Sequence, residues 1–448
     1  MRSILRTPVA CGVDIGSTNV KVVLLTRAGD VVARGGRSTP RNPGTGCIEG
    51  ADLLETVQAM IVEACADRYE VHAVSVAGVG EDGILLDESQ RPVTPALAWY
   101  DARRGEVREG LRSTIAVDDT FDALDDPGRA IVGWAWARQQ PGAEAALSWV
   151  AVADLPSVVW TGRTFLSDTL ASRTGAWRAR TRSWDEGRVI ATLGSADLLP
   201  PVVSTGDIIG EVDPSMFASS GAIAADAIVV AGGHDHPIGG WGVDQMAPGA
   251  VLDSMGTAEV VVAQRPEAPG ARWEDIDVAP GIRSGGTTLL RVEELSRNVA
   301  WASQDAEVAA AIRDIMAGAA VSASALESGC FIPGSRGGGM PSYSADAPRD
   351  PRERAAAVLG ALAGNGREAV VAVSGGTIDQ SGVRLAGGWA RSAGWVAIKE
   401  RVNGYPTEVV AEPEVTALGA ALLAASARGW APDPAVALGG GGARVTPR

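Results

Sequence analysis

The feature that most constrains this chain is a local pattern that occurs twice. Val9 to Leu25 reads as a β-hairpin: Val20, Val22 and Leu24 alternate with other residues, and Gly16-Ser17-Thr18-Asn19 sits between the two arms. About 240 residues later, Val251–Met255 and Glu259–Ala263 form two apolar arms joined by Gly256-Thr257-Ala258. Halves that open alike predict two related domains with a cleft between them, here 1–240 and 241–448. The length of 448 residues agrees, since at roughly 150 residues per domain each part can bury a core of its own.

The rest of the pattern is that of an α/β chain. Residues 51–66 carry Leu53, Leu54, Val57, Met60 and Ile61 at helical spacing. Val31–Arg34, Val71–Val79 and Ile84–Asp87 read as strands, and this order fits a mixed sheet covered by helices. A helical stretch near 126–140 follows, then a polar segment at 167–184 and a strand, Ile228–Ala231, running into Gly232-Gly233. In the second half, helices are expected at Pro351–Gly364, at 366–380 and at Thr416–Arg428, with a strand at Gly382–Leu385. The Gly/Pro/Ala-rich tail after Trp430 is expected to be loosely ordered.

Charge excludes some functions. The chain has 39 basic and 54 acidic side chains, a net charge of −15. Nucleic-acid affinity comes mainly from neutralising phosphates, so such a chain is a poor candidate for it. Lys21 and Lys399 are the only lysines. Cys11, Cys47, Cys65 and Cys330 are widely spaced without a CxxC, which argues against structural zinc or a disulfide framework. The N-terminus has no signal-peptide core, and no stretch of uncharged apolar residues is long enough to span a membrane. A cytoplasmic protein with no membrane partner is the expectation.

Several constellations can carry chemistry. Asp14 ends a strand immediately before the small-residue turn. It is placed to hold a cation through water, as Mg²⁺ usually is held, while the turn offers backbone amides and hydroxyls to an anion. An ordinary hairpin turn is the bland alternative. The second turn repeats the arrangement, and two such turns facing each other can clamp a polyphosphate. Neither turn is a Walker A loop. Asp235, just past a strand in Gly232-Gly233-His234-Asp235-His236-Pro237, can take a proton from a substrate hydroxyl; its bland role is a helix cap. Zinc on His234 and His236 is disfavoured, because an HxH alternates faces in extended chain. Glu81, Asp82, Trp99 and Asp101 suit a polyol, with carboxylates accepting from hydroxyls and an aromatic packing on carbon. Leu385–Ser392 takes a strand through Gly387-Gly388 into a helix, a turn against which a flat ring can lie.

In this order and spacing, the elements resemble the FGGY family of carbohydrate kinases, within the actin-like ATPase superfamily. Gly12–Lys21 is similar to that family's first phosphate loop, and Pro95–Arg103 to its tryptophan-containing stretch. Ser167–Thr174 with Trp184-Asp185 resembles another of its segments. Gly232–Asp235 resembles its GGxD, Ser254–Ala258 its second phosphate loop, Gly387–Ser392 its adenosine motif and Thr416–Ala421 its ALGAA helix start. The resemblance implies two RNase H-like domains and phosphoryl transfer from ATP, with Mg²⁺, to a small sugar or polyol. It implies Asp235 as general base and Asp14 as organiser of the metal. Ser17, Thr18, Asn19, Gly256, Thr257, Gly387, Gly388 and Ser392 would contact ATP, and Glu81, Trp99, Asp101, Asp235 and His236 the substrate. It admits a homodimer. Two departures bear on the substrate: Val79-Gly80 precede Glu81 where glycerol kinases have Gln-Arg, and His236 follows the base where Gln or Asn is usual.

A pentulose such as xylulose is the leading substrate, with glycerol or another polyol as the alternative. A non-catalytic actin-like nucleotide sensor is a competing class, opposed by the presence of both Asp14 and Asp235. An acetate kinase- or hydantoinase-type relative is a third, opposed by Trp99-Tyr100-Asp101-Ala102-Arg103.

Overall fold

The structure is a computed structural model and describes all residues except 1–5, 116–125, 218–219, 268–274, 284, 335–338, 377, 379–380 and 440–448. The first hairpin forms as read: β1 (Thr7–Ile15) pairs antiparallel with β2 (Asn19–Thr26), and β3 (Val31–Ser38) adds beyond β2. Helix α1 (Gly50–Cys65) buries Leu53, Val57, Met60 and Ile61, and β4 (Tyr69–Gly78) returns parallel to β1. With β5 (Ile208–Glu211) and β6 (Ile223–His234) the sheet runs β5-β6-β4-β1-β2-β3.

Helix α2 (Asp235–Met246) then leads to a second six-stranded sheet. It contains β7 (Val251–Met255), β8 (Ala258–Arg265), β9 (Asp277–Pro280), β10 (Thr287–Glu294), β11 (Val383–Ala386) and β12 (Thr407–Val409), in the order β9-β10-β8-β7-β11-β12. Its opening repeats the first: β7 pairs antiparallel with β8 and parallel with β11. Residue 240 lies inside α2.

Strand alternation sorts each sheet into two faces. Val9, Cys11, Val13 and Ile15 of β1, with Val20, Val22 and Leu24 of β2, face the layer containing α1. Ala10, Val23 and Leu25 face the other way. In the second sheet Val251, Met255, Val261 and Leu385 face the layer of α3 (Pro351–Val373) and α4 (Ala393–Asn403). Leu252, Val260, Val262 and Ala386 face inward. Between the sheets lie α2 and α5 (Val415–Ala427), which pack on each other. Helix α5 lies on β1, β4 and β2, and α2 lies on β7 and β8, so each covers the sheet of the other half.

Four features depart from the sequence expectations. Residues 83–86 do not join the main sheet but pair with Ser148–Ala151 in a small separate one. That pair sits in a lobe whose core includes Trp134, Trp149 and Trp177 with Trp184 against them, so these tryptophans serve packing. The helix expected to stop at Gly364 continues to Val373, and within it Gly366 lies bare against Glu259: a Cβ there would be 1.9 Å from its carboxylate. Among the described residues this is the one helix long and apolar enough to cross a membrane, and 61% of its apolar window is buried. The tail is not loose throughout: Pro434–Gly439 is helical and buries Leu438 in the core between the sheets, while 440–448 lie outside the described residues.

Gly12 is where this architecture is tightest. A Cβ there would lie 1.9 Å from the Ala417 carbonyl oxygen and 2.4 Å from the Ala421 nitrogen, both in α5. Gly12→Ala should therefore cost about 2–3 kcal/mol by forcing α5 off β1. Gly36→Ala, whose Cβ meets nothing within 4 Å, should stay within about 0.5 kcal/mol of wild type. Urea unfolding of the two variants checks the contrast.

Candidate active site

The first turn is held from behind. Gly16 N–H donates to Asn19 O at 3.0 Å, and Thr39 donates from its N–H to Thr18 O at 2.9 Å and from its hydroxyl to Gly16 O at 2.7 Å. Arg41 Nη2 donates to Ser17 O at 2.8 Å. With these carbonyls engaged, the turn has N–H groups and hydroxyls left for an anion. The Trp99 indole N–H donates to Ser17 Oγ at 2.8 Å. Trp99 thus ties the expected substrate side to this turn, a link that sequence distance concealed.

Asp14 and Lys21 are opposite each other in the hairpin register, so their side chains share a face. Alternation aims both toward α5. Lys21 Nζ lies 3.7 Å from Asp14 Oδ2 and 2.8 Å from Glu414 Oε2, just ahead of α5. Asp14 Oδ1 is buried without a hydrogen-bond partner. Burial pushes the Asp14 carboxyl up to about 7, opposed by Lys21 and reinforced by Asp235.

At the end of β6 the chain passes close to its neighbours. A Cβ on Gly232 would be 1.8 Å from Val76 O, and one on Gly233 would be 2.1 Å from Thr169 Oγ1. These glycines deliver Asp235 to the first position of α2. Three nitrogens converge on Asp235 Oδ1: the His236 backbone N–H donates at 2.7 Å, and the ring atoms His234 Nε2 and His236 Nδ1 lie 3.1 and 2.6 Å away. None of the three contacts involves Oδ2. Because the strand ends at His234 and a helix begins, the face alternation assumed for an HxH does not apply. The two rings approach at 5.5 Å, and the ligand atoms of 234–236 lie within 4.8 Å of one another. Burial pushes His234 down to about 4, so it is neutral at pH 7. Burial also disfavours charge on His236, but Asp235 facing it outweighs this and raises it. Burial raises Asp235 in turn, yet His236 beside it holds the carboxyl well below the usual carboxylate range.

Glu81 is claimed by an arginine that sequence reasoning did not single out. Arg173 donates from Nε at 2.8 Å and from Nη2 in a closer contact to Glu81 Oε1. The same guanidinium reaches Asp277 of β9 through Nη1, and Arg129 also pairs with Asp277. This network crosses from one half of the chain to the other. Gly80 makes room for it: a Cβ there would be 2.5 Å from Arg173 Cγ and 2.9 Å from His234 Cδ2. Asp101 is bracketed by Arg103, with Nε at 2.8 Å and Nη2 at 2.7 Å. The buried Arg104 lies 3.5 Å from Asp82 and donates to the carbonyls of Leu97 and Ala98 at 2.7 and 2.9 Å.

The second turn exposes Gly256 and Thr257, held by Gly256 N–H to Ala258 O and Ser296 N–H to Thr257 O, both 2.9 Å. Parallel pairing of Ser254 with Ala386 brings the Gly387-Gly388 turn beside it. Gly387 has φ 87°, and its Cβ would lie 2.3 Å from Met255 O; beside Gly388 there is open space. Ser392 is occupied otherwise: its hydroxyl caps α4 by accepting from Trp395 N–H at 3.1 Å and donates to Met316 O at 2.6 Å.

Residues 9–242 match the model of the FGGY family of carbohydrate kinases, N-terminal domain. The chain is 27% identical over 274 residues to a xylulose kinase of Streptomyces coelicolor, a match covering 58% of this chain and 56% of that protein. It is 24% identical over 449 residues to the L-fuculokinase of Escherichia coli K12, covering 93% of this chain and 91% of that one. The fold is like that of a solved gluconate kinase of Lactobacillus acidophilus, with TM-score 0.78 and 17% identity over 95% of this chain and 90% of that one. Both sheets thus belong to the actin-like ATPase fold that the family resemblance implied. The matched stretch takes in more than half of the chain, and the protein belongs to the FGGY family of carbohydrate kinases.

Proposed function

We propose that the protein transfers the γ-phosphoryl group of ATP to a hydroxyl of a small neutral sugar, most favourably a pentulose such as xylulose, with Asp235 as general base. The observation that carries this is the Asp235 carboxylate, whose Oδ1 is approached by three nitrogens, one of them the donating His236 backbone N–H, and whose Oδ2 is approached by none of them. Oδ2 is then the atom that accepts the sugar hydroxyl proton. A carboxylate held so low is a weak base but is ionised at every working pH. Phosphoryl transfer through a loose transition state asks for positioning and charge more than for base strength.

In this reading 1–240 supplies the sugar side, the first turn and the base, and 241–448 supplies the second turn and the adenosine glycines. Ser17, Thr18 and Asn19 face Gly256 and Thr257 across the phosphates, and Gly387-Gly388 lies against the adenine. Ser392 supports that turn by holding the start of α4. The unpartnered, buried Asp14 Oδ1 is the kind of oxygen a hard cation takes. A divalent cation such as Mg²⁺ held there supplies positive charge to the phosphates when bound.

The preference for a neutral substrate follows from pairing. On the sugar side Arg173 is held by Glu81 and Asp277, Arg129 by Asp277, Arg103 by Asp101 and Arg104 by Asp82. A sugar acid would have to compete with these carboxylates for its counter-ion, whereas a polyol needs none. Trp99 offers its face to carbon, and His236 stands where the acceptor end of the substrate meets the base.

Two outcomes are expected. In a panel of D-xylulose, L-fuculose, glycerol and gluconate, a ketose should have the highest kcat/KM and gluconate should be poor. Asp235→Asn should lower kcat by roughly 10² or more, with nucleotide affinity retained. Unimpaired turnover in that variant would sink the mechanism.

A further outcome concerns Asp14. Its folded pKa of about 7 lies above the ordinary 3.8. Between those values the folded state keeps a proton that the unfolded chain has lost, so without cation stability falls as pH rises through this window. Asp14→Asn should remove that slope, raise the metal-free melting temperature at pH 8, and abolish the Mg²⁺-dependent gain in nucleotide affinity. Melting curves across pH, with and without Mg²⁺, read both effects.

A further inference from the structure

A second cavity, of about 660 Å³, lies between the two halves and shares no lining residue with the site above. One wall is 179–180, Arg182 and 204–207; the other is the end of β9 with 281, Arg283 and 285–286 ahead of β10. The volume is in the range of small-molecule pockets. Its charged lining consists of Arg180, Arg182 and Arg283 with Asp168 and Asp207, a basic concavity in a chain of net charge −15.

Two of these arginines are held in place from opposite walls. Arg182 and Arg283 both have positive φ, 51° and 52°, a backbone state that non-glycine residues keep only where surrounding structure imposes it. The Arg283 stem crosses to Gly206 of the other half, where a Cβ would lie 2.7 Å from its Cγ. The Arg182 guanidinium stacks on Trp177 at 5.5 Å and donates to Asp168 Oδ2 at 3.1 Å. Asp168 is itself satisfied: its Oδ1 accepts from the N–H and hydroxyl of Thr205, both at 3.0 Å.

From Asp168 a directed chain of hydrogen bonds runs to the catalytic strand. The Thr205 hydroxyl gives its proton to Asp168, so the Thr169 hydroxyl is the donor in their 3.0 Å contact. Thr169 Oγ1 in turn accepts the His234 N–H at 3.1 Å. The floor of the cavity is therefore bonded to the residue preceding the base.

We propose that this cavity binds a small phosphorylated metabolite, its phosphate taken by the forks of Arg182 and Arg283. Guanidinium forks match phosphate oxygens in pairs. Because the two arginines belong to different halves, bound phosphate favours one arrangement of the cleft over others. By linkage its affinity must then change when the cleft is filled. The inference does not rest on the kinase reading, since a protein inert toward every sugar would still bind at this cavity.

The test is calorimetric titration of the full chain with inorganic phosphate and with glucose 6-phosphate, the nucleotide site being filled with Mg²⁺ and a non-hydrolysable ATP analogue. Saturable binding is expected, weakened about tenfold or more by Arg283→Met and by Arg182→Met. Analogue affinity measured without phosphate should be the same in wild type and both variants. Arg283 is exposed, so its variant keeps the fold and decides the matter even if Arg182→Met does not. Absence of saturable binding, or equal affinity in Arg283→Met, would overturn the proposal.

Discussion

The contact between α2 and α5 is the constraint on which the rest of the molecule depends. Each helix leaves one sheet and lies on the other, and they meet in the middle through small residues. A Cβ on Gly419 would be 2.6 Å from Ile238 O, and one on Gly242 would be 3.3 Å from Gly419 Cα. No larger side chain fits, so the backbones touch and the two halves share one core. The same closeness recurs at Gly12 against α5. Both helices begin at the site, α2 with Asp235 and α5 directly after Glu414. Their N-terminal amides and dipoles favour negative charge there. An acidic chain can therefore hold ATP without a lysine-rich surface.

What lysine there is sits beside the two turns. Lys21 joins Asp14 to Glu414 at the first hairpin. Lys399 of α4 is fully buried behind the second, 2.8 Å from Asp253 and in close contact with Glu259. The halves have thus diverged: the first presents its cation to the cleft and the second buries it as support. Beside the base, Asp235 raises His236 above its ordinary value, while burial keeps His234 neutral at pH 7.

Much of this was legible in the sequence because it is local. Alternation and small-residue turns gave both hairpins, helical spacing gave α1, and Gly232-Gly233 marked the strand end that presents Asp235. What escaped is carried by residues far apart in the chain. Arg173 binding Glu81 and Asp277 spans both halves, and Arg129 joins them; no spacing rule predicts such pairs. The indole of Trp99 on Ser17 is of the same kind. Ile84–Asp87 read as a strand, and Gly83–Leu86 form one, but the partner lay in an unrelated segment. The meeting of Lys21 with Asp14 is cross-strand too: the register of the hairpin, not alternation along one strand, decides which residues share a face.

The central claim is that both halves, closed on a sugar, make one phosphotransfer site around Asp235. The most direct test is the stoichiometry of turnover, measured as ADP released against sugar phosphate resolved by mass, with and without ketose. The account predicts equal amounts of both products with ketose present and a far slower release of ADP without it. ADP release that is indifferent to every sugar, with no sugar phosphate formed, would contradict it.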